Sequence, residues 1–251
     1  ALVMIVILGL LFVELFHHSL PSIKKFGLGF LWSKSWDPVR QEFGAFPSIF
    51  GTFVTTIVAM IIAVPTSFVI ALFLVELSHP LLSKIVGEAI DLLAAIPSII
   101  YGMWGLFVFA PFMQDHIQPF LSKKIQPLLD SFATNLSGFL GFEIKIPLFS
   151  GTGMGIGTMT AGFILALMIL PFISAIIRDV FKMVPPVVKE SAYGLGSTTW
   201  EVAHNVTLKY GMQGILGGIF LGLGRAIGET MAVAFVIGNA QRVSISLLSP
   251  G

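Results

Sequence analysis

Cysteine is absent from the 251 residues. That excludes a disulfide framework, thiolate metal sites and thiol catalysis. Charge is scarce: Asp, Glu, Lys and Arg make up 11% of the chain, less than half the share usual for a soluble domain. The net charge of +1 offers no clustered basic surplus for a phosphate backbone, so no nucleic-acid partner is expected. No G-x-x-x-x-G-K-[ST] loop occurs, and no nucleotide or other cofactor is expected on this chain. Nor do the apolar stretches set a nucleophile beside a base at workable spacing, which argues against an enzyme. What the chain has in excess is apolar surface: 55% of residues are hydrophobic and the mean hydropathy is +0.94. Apolar runs are spread from end to end, with no soluble block long enough to fold alone. Residues 1–251 are therefore read as a single transmembrane domain of an all-α integral membrane protein.

Residues 1–16 are apolar apart from Glu14 and predict a first span, with a start upstream of Ala1 expected because the chain opens inside the run. His17, His18, Trp32, Trp36 and Pro38 follow in a stretch expected at the membrane interface. No charged residue occurs from Phe43 to Val75, which predicts a second span over 48–76, kinked at Pro65. A third is expected over 88–112, with Glu88 and Asp91 capping its N-terminus and Pro97 bending it among small residues. Residues 113–155 carry Asp115, Lys123, Lys124, Asp130, Glu143 and Lys145 among apolar side chains, a pattern expected of short amphipathic helices on the membrane surface or over the bundle. The run GTGMGIG at 151–157 lacks the Lys-Ser/Thr ending of a phosphate loop, so close helix approach is the better reading. A fourth span is expected over 156–178, with Pro171 inside it. The polar segment 179–213 is long for a connection, which suggests a partner.

The last span, 214–240, carries Arg225 and Glu229 near its middle. Arg225 falls about 16 Å from Gly214, near the centre of a hydrocarbon layer about 30 Å thick. A central Arg costs roughly 2.5–3.5 kcal/mol to insert, so its presence calls for a use. At about 100° per residue, Gly214, Gly218, Gly222, Arg225, Glu229 and Ala232 fall on one stripe. Leu216, Phe220, Leu223, Ile227 and Met231 lie opposite. The glycines suit close helix packing, and Arg225 should face protein or a wet cavity. At four-residue spacing the two charges can also pair along the helix. A structural lock between helices is the competing reading.

The loop text ESAYGLGSTTWEVAHNVTLK, residues 190–209, resembles the EAA loop of ATP-binding-cassette importer permeases. Glu190, Ser191, Ala192, Gly196, Val206 and Leu208 occupy the motif's positions, with Ser197 beside the glycine. Ser191 replaces an alanine, and Lys209 stands where the family usually has proline. Together with LLAAIPSIIYGMWG, GTMTAGFILALMILP and GLGRAIGETMAVAFVIGN, the loop looks like the phosphate-specific branch, nearer the first of its two permease subunits. The resemblance implies a type I importer helical bundle with a sixth helix beyond the five visible here. It implies an inner-membrane heterodimer with a related permease, two cytoplasmic ATPase subunits carrying ATP and magnesium, and a periplasmic phosphate-binding protein. The loop 179–213 would be cytoplasmic and would dock on the ATPase, and 113–155 would be a periplasmic insertion. Arg225 and Glu229 match the charged pair in the branch's fifth helix, which implies a place on the translocation path.

Charge counting opposes that orientation. Lys84, Arg178, Lys182, Lys189 and Lys209 would lie inside, against Lys24, Lys25, Lys34, Arg40, Lys123, Lys124, Lys145 and Arg242 outside, the reverse of the positive-inside rule. The loop is the stronger guide. Two other readings stay open: a permease for another oxyanion such as molybdate or sulfate, and a proton-coupled secondary transporter in which Glu229 titrates.

Overall fold

The computed structural model describes residues 2–140, 147–151 and 153–250; the expectations for Glu143 and Lys145, and one position of the glycine run, lie outside them. The chain forms two compact units, residues 1–50 with 241–243 and residues 51–240 with 244–251. Among the described residues four helices are long and apolar enough to cross a bilayer, and a bent pair makes a possible fifth. The only sheet among them is a two-stranded hairpin.

In the first unit, α1 (Leu2–Phe26) has no buried residue. It runs past the expected end at Phe16 because nothing breaks it there. Glu14 and His18 meet at 3.0 Å one turn apart, and Lys24 and Lys25 sit well on the carbonyl end. Gly27 stops it, with φ +59° and its N–H donating back to the Ile23 carbonyl at 2.9 Å. A short helix α2 (Gly29–Trp32) and a hairpin of β1 (Trp36–Asp37) and β2 (Glu42–Phe43) follow. Trp36 pairs with Phe43 across it, rings 5.1 Å apart.

The second unit is built around α6 (Thr158–Lys182), two-thirds of whose apolar stretch is buried against 28% for α3. Ile164, Leu165, Ile169, Ile173, Ile177 and Phe181 are almost wholly enclosed. Packed on it are α3 (Phe46–Leu72, ending in a π turn, Phe73–Leu77), α4 (Pro80–Ala94), α5 (residues 98–140), α8 (Thr199–Ile227) and α9 (Met231–Val236). Between α6 and α8 lies α7 (Pro186–Gly194). The Ser67 hydroxyl of α3 donates to the Leu170 carbonyl of α6 at 2.9 Å.

The third span departs from expectation at both ends. It begins at Pro80, with His79 as N-cap and proline at the first helical position, so Glu88 and Asp91 lie inside α4 and do not cap it. At Ala95–Pro97 the helix breaks and α5 leaves at 89°, because proline has no N–H and pushes the residue before it out of helical geometry. Beyond 112, where surface helices were expected, α5 continues without interruption to residue 140. Its length of about 60 Å is about twice the hydrocarbon thickness.

What allows α5 to continue is an eight-residue period. Pro111, Pro119 and Pro127 each follow closely on a π turn, Gly105–Phe109, Met113–Ile117 and Leu121–Ile125 respectively. Each turn absorbs one extra residue, so eight residues make about two turns and return to one face. Ala110, Gln118 and Gln126, the residues before the three prolines, are accordingly all buried. Their glutamines hold the next segment: Gln126 Oε1 accepts from the Phe149 N–H at 2.8 Å, and Gln118 Oε1 from Gly155 at 3.0 Å. A Cβ on Gly155 would meet the backbone of Ala110, and one on Gly153 the side chain of Gln118. Close approach is therefore what the glycine run serves. The first amides of α6 are satisfied in turn by chain-end carbonyls, Met159 by Leu247 at 2.8 Å and Thr158 by Ser249 at 3.2 Å.

The span expected over 214–240 is neither that start nor that continuous. The helix begins at Thr199 and passes through a π turn, Ala203–Thr207, with no proline at 209 to interrupt it. It ends at Ile227 as Gly228 donates back to the Gly224 carbonyl at 3.1 Å; Gly224 in the last turn and Gly228 at the cap weaken it there. Its glycine face lies on α6. A Cβ on Gly214 would stand 2.6 Å from Val180, on Gly218 2.8 Å from Ile176, and on Gly222 2.5 Å from Ile173. Leu216, Phe220 and Ile227 on the other face are exposed.

Gly222→Leu should lower the thermal midpoint of the purified protein in detergent by the equivalent of about 1–3 kcal/mol, since Ile173 is enclosed and cannot yield. Gly217→Ala, where a Cβ meets nothing within 4 Å, should leave it unchanged or raised.

Candidate functional site

Arg225 sits in the last turn of α8, where a cation suits the free carbonyls. It is half-buried, and its guanidinium lies 5.2 Å from the centre of the Phe172 ring of α6, an attraction that strengthens as water is excluded. Tyr101 of α5 lies within the field of that charge, with its hydroxyl donating to the Leu93 carbonyl at 3.1 Å. Arg225 thus faces other helices of the bundle. A cavity of about 360 Å³ opens beside Tyr101, lined by Ile90, Leu93, Ile100, Trp104 and Pro171 among others; its walls are apolar and hold no group for an anion.

Glu229 is not the partner of Arg225. Because α8 has already ended, the four-residue helical spacing no longer applies, and among the described residues no ion pair joins the two. The Glu229 carboxylate instead accepts from the Ala232 N–H at 3.0 Å, at the start of α9, where an acid suits the free amides. Pro97, assigned a packing role by sequence, marks the sharp bend that ends α4. Beyond that bend, Gly102 of α5 lies so near Ala232 of α9 that a Cβ would stand 2.9 Å from its Cα.

At the other end of α6, residues 186–208 form a bent helical arm. Glu190, Ser191 and Gly196 are exposed, Ala192 and Ser197 half-buried, and Val206 and Leu208 turned partly inward. The arm turns at Gly196, whose φ of +88° is costly for any residue with a Cβ. Its N–H donates to the Tyr193 carbonyl at 2.9 Å, and Ser197 to Ala192 at 3.2 Å. The second part then opens on a capping box: Thr198 N–H donates to Glu201 Oε2 at 2.7 Å, and the Thr198 hydroxyl accepts from the Glu201 N–H at 3.4 Å. Val187, Leu195 and Trp200 project from this arm, Leu195 88% exposed. Such an apolar surface on a polar loop is one that a partner would cover.

Two ion pairs escaped sequence reasoning. Arg178 of α6, 8% exposed, donates to both carboxylate oxygens of Asp91 at 3.0 Å, and Gly87 of α4 leaves room for the guanidinium. Glu76, 5% exposed, accepts from Lys189 Nζ at 2.6 Å and from the Thr207 hydroxyl at 2.8 Å. Removing one partner of the shielded Glu76–Lys189 pair costs about 3–5 kcal/mol; Asp91 is half-exposed, and its pair with Arg178 contributes less. The sequence held one signal for the second: Glu76 is the first charge after the uncharged run from Phe43 to Val75.

A family model described as "binding-protein-dependent transport system inner membrane component" matches residues 67–249. The phosphate transport system permease protein of Pasteurella multocida is 52% identical over 250 residues, covering 100% of this chain and 74% of its own length. That of Xylella fastidiosa is 54% identical over 227 residues, covering 90% and 65%. A probable phosphate transport system permease of Methanocaldococcus jannaschii is 34% identical over 242 residues, covering 94% and 70%.

The Thr198 amide, and then its hydroxyl, hold the Glu201 carboxyl below its ordinary range. A lowered carboxyl stabilises above the unfolded value and loses that contribution as pH falls through the folded one. Amide exchange at residues 198–202, corrected for intrinsic rates, should therefore be slowest near neutrality and quicken in acid, and Thr198→Ala should remove the difference.

Proposed function

Because the chain belongs to the inner membrane components of binding-protein-dependent transport systems, we propose that it conducts inorganic phosphate across the bacterial inner membrane as one permease of an ATP-driven importer. The observation that carries this reading is a guanidinium on the bundle-facing side of α8, against Phe172, in a chain about half identical to named phosphate permeases. Arg225 offers a passing oxyanion paired charged donors. Glu229, four residues on at the start of α9, adds a negative charge that keeps the anion from being held too firmly to leave.

The exposed apolar arm at 186–208 supports the remaining parts of this reading. Glu190, Ser191, Ala192, Gly196, Ser197, Val206 and Leu208 form the surface that docks in a cleft of the ATPase on the cytoplasmic side. Closure of two such ATPase subunits pulls the arm and switches the bundle between inward and outward access. Residues 147–151 and 153–157, at the opposite end of α6, then face the periplasm, where a phosphate-binding protein delivers its cargo. The chain pairs with a second, related permease and binds no cofactor itself; ATP and magnesium belong to the ATPase.

In the reconstituted complex, uptake of labelled phosphate should resist competition by molybdate and sulfate; competition by either at equal concentration makes the cargo a different oxyanion. Arg225→Gln should abolish uptake with assembly intact, and normal uptake would reduce the residue to a helix lock. Gly196→Asp, which places a side chain on a φ of +88°, should break association with the ATPase in a pull-down; an unchanged yield rejects the docking surface.

A further inference from the structure

Three elements converge on one carboxylate oxygen. Glu76 Oε1, in the π turn that ends α3, accepts both from Lys189 of α7 and from Thr207 of α8. Thr207 is wholly buried, and the pair beside it is shielded, Lys189 being 18% exposed. Lys189 immediately precedes Glu190, and Thr207 lies between Val206 and Leu208. Both halves of the docking arm are thus tied to the same atom of a span to which neither is joined directly in sequence.

We propose that Glu76 is a transmission residue: it couples displacement of the arm to displacement of α3. The inference rests on the ATP-driven reading above. A shielded carboxylate left without its ammonium is heavily penalised, so the arm cannot move away while Glu76 stays behind. Glu76 and Thr207 themselves lie within two π turns, Phe73–Leu77 and Ala203–Thr207, a local geometry frequent at functional sites. With the two turns clamped to each other and to Lys189 through one carboxylate, motion of the arm passes to α3. Among the described residues the other ion pairs lack this arrangement: Arg178–Asp91 joins α6 to α4, and neither residue belongs to the arm.

The native chain has no cysteine, so spin labels can be placed on exposed Val69 of α3 and Val187 of α7 in the assembled complex. The distance between them should be the same with and without ATP in the native sequence, and should change on ATP addition in Glu76→Gln. A native distance that changes as much as the variant's overturns the proposal, and so does a Glu76→Gln distance that stays fixed. This readout needs no phosphate, so a complex that imports none would reject the cargo assignment and leave the link still measurable. In transporting vesicles, ATP consumed per phosphate should rise severalfold in Glu76→Gln. The exchanged pair Glu76→Lys with Lys189→Glu should bring it back. An unaltered ratio, with both rates falling together, would mark a purely structural pair. If Glu76→Gln fails to assemble, Thr207→Val, which keeps the ion pair, should show the same label movement to a smaller degree, and its absence counts against the link.

Discussion

The close seam between α6 and α8 is the contact on which the rest of this structure depends. Val180, Ile176 and Ile173 occupy the space that side chains on Gly214, Gly218 and Gly222 would need. In a bilayer the lipid is as apolar as the helices, so association has to come from such shape matching and dispersion contact. With α8 held against α6, the last turn brings Arg225 over Phe172. The other end of the same helix carries the arm with its exposed Leu195 and Trp200. One rigid seam therefore connects the cation of the bundle to the surface offered to a partner.

Three cations of this charge-poor chain are each held by another element. Arg178 is satisfied by Asp91 from α4, Lys189 by Glu76 at the end of α3, and Arg225 by an aromatic face. The first two are neutralised by an opposite charge, which fixes geometry. The third retains hydrogen-bonding capacity, since a ring face takes none of the guanidinium's N–H donors. That difference fits structural and coupling roles for the paired cations and a ligand-facing role for Arg225.

Reading by helical periodicity succeeded where the helices are regular and failed where proline enforces another count. The glycine spacing of four in α8 marks its packed face, and the uncharged run after Phe43 marks a span, both by ordinary geometry. In α5 the repeat is eight, because each π turn before Pro111, Pro119 and Pro127 takes up a residue; a 3.6-residue template sees only broken amphipathic pieces. Glu88 and Asp91 were misplaced for a related reason, since the helix start depends on His79 and Pro80 and not on where the acids fall. The pairing of Glu229 with Arg225 along one helix does not form, because Gly224 and Gly228 end α8 before Glu229 is reached.

By itself the amino-acid order determined the class of protein and the rough location of most of its apolar stretches, because solvent and backbone hydrogen bonding translate local composition directly into helices; the loop at 190–209 was legible only as a family resemblance. Only the tertiary structure decided which charges meet. Asp91 and Arg178 are 87 residues apart, and Glu76 and Lys189 are 113 apart. Such pairings depend on how bent helices cross, and nothing in the neighbouring residues of either partner encodes that crossing.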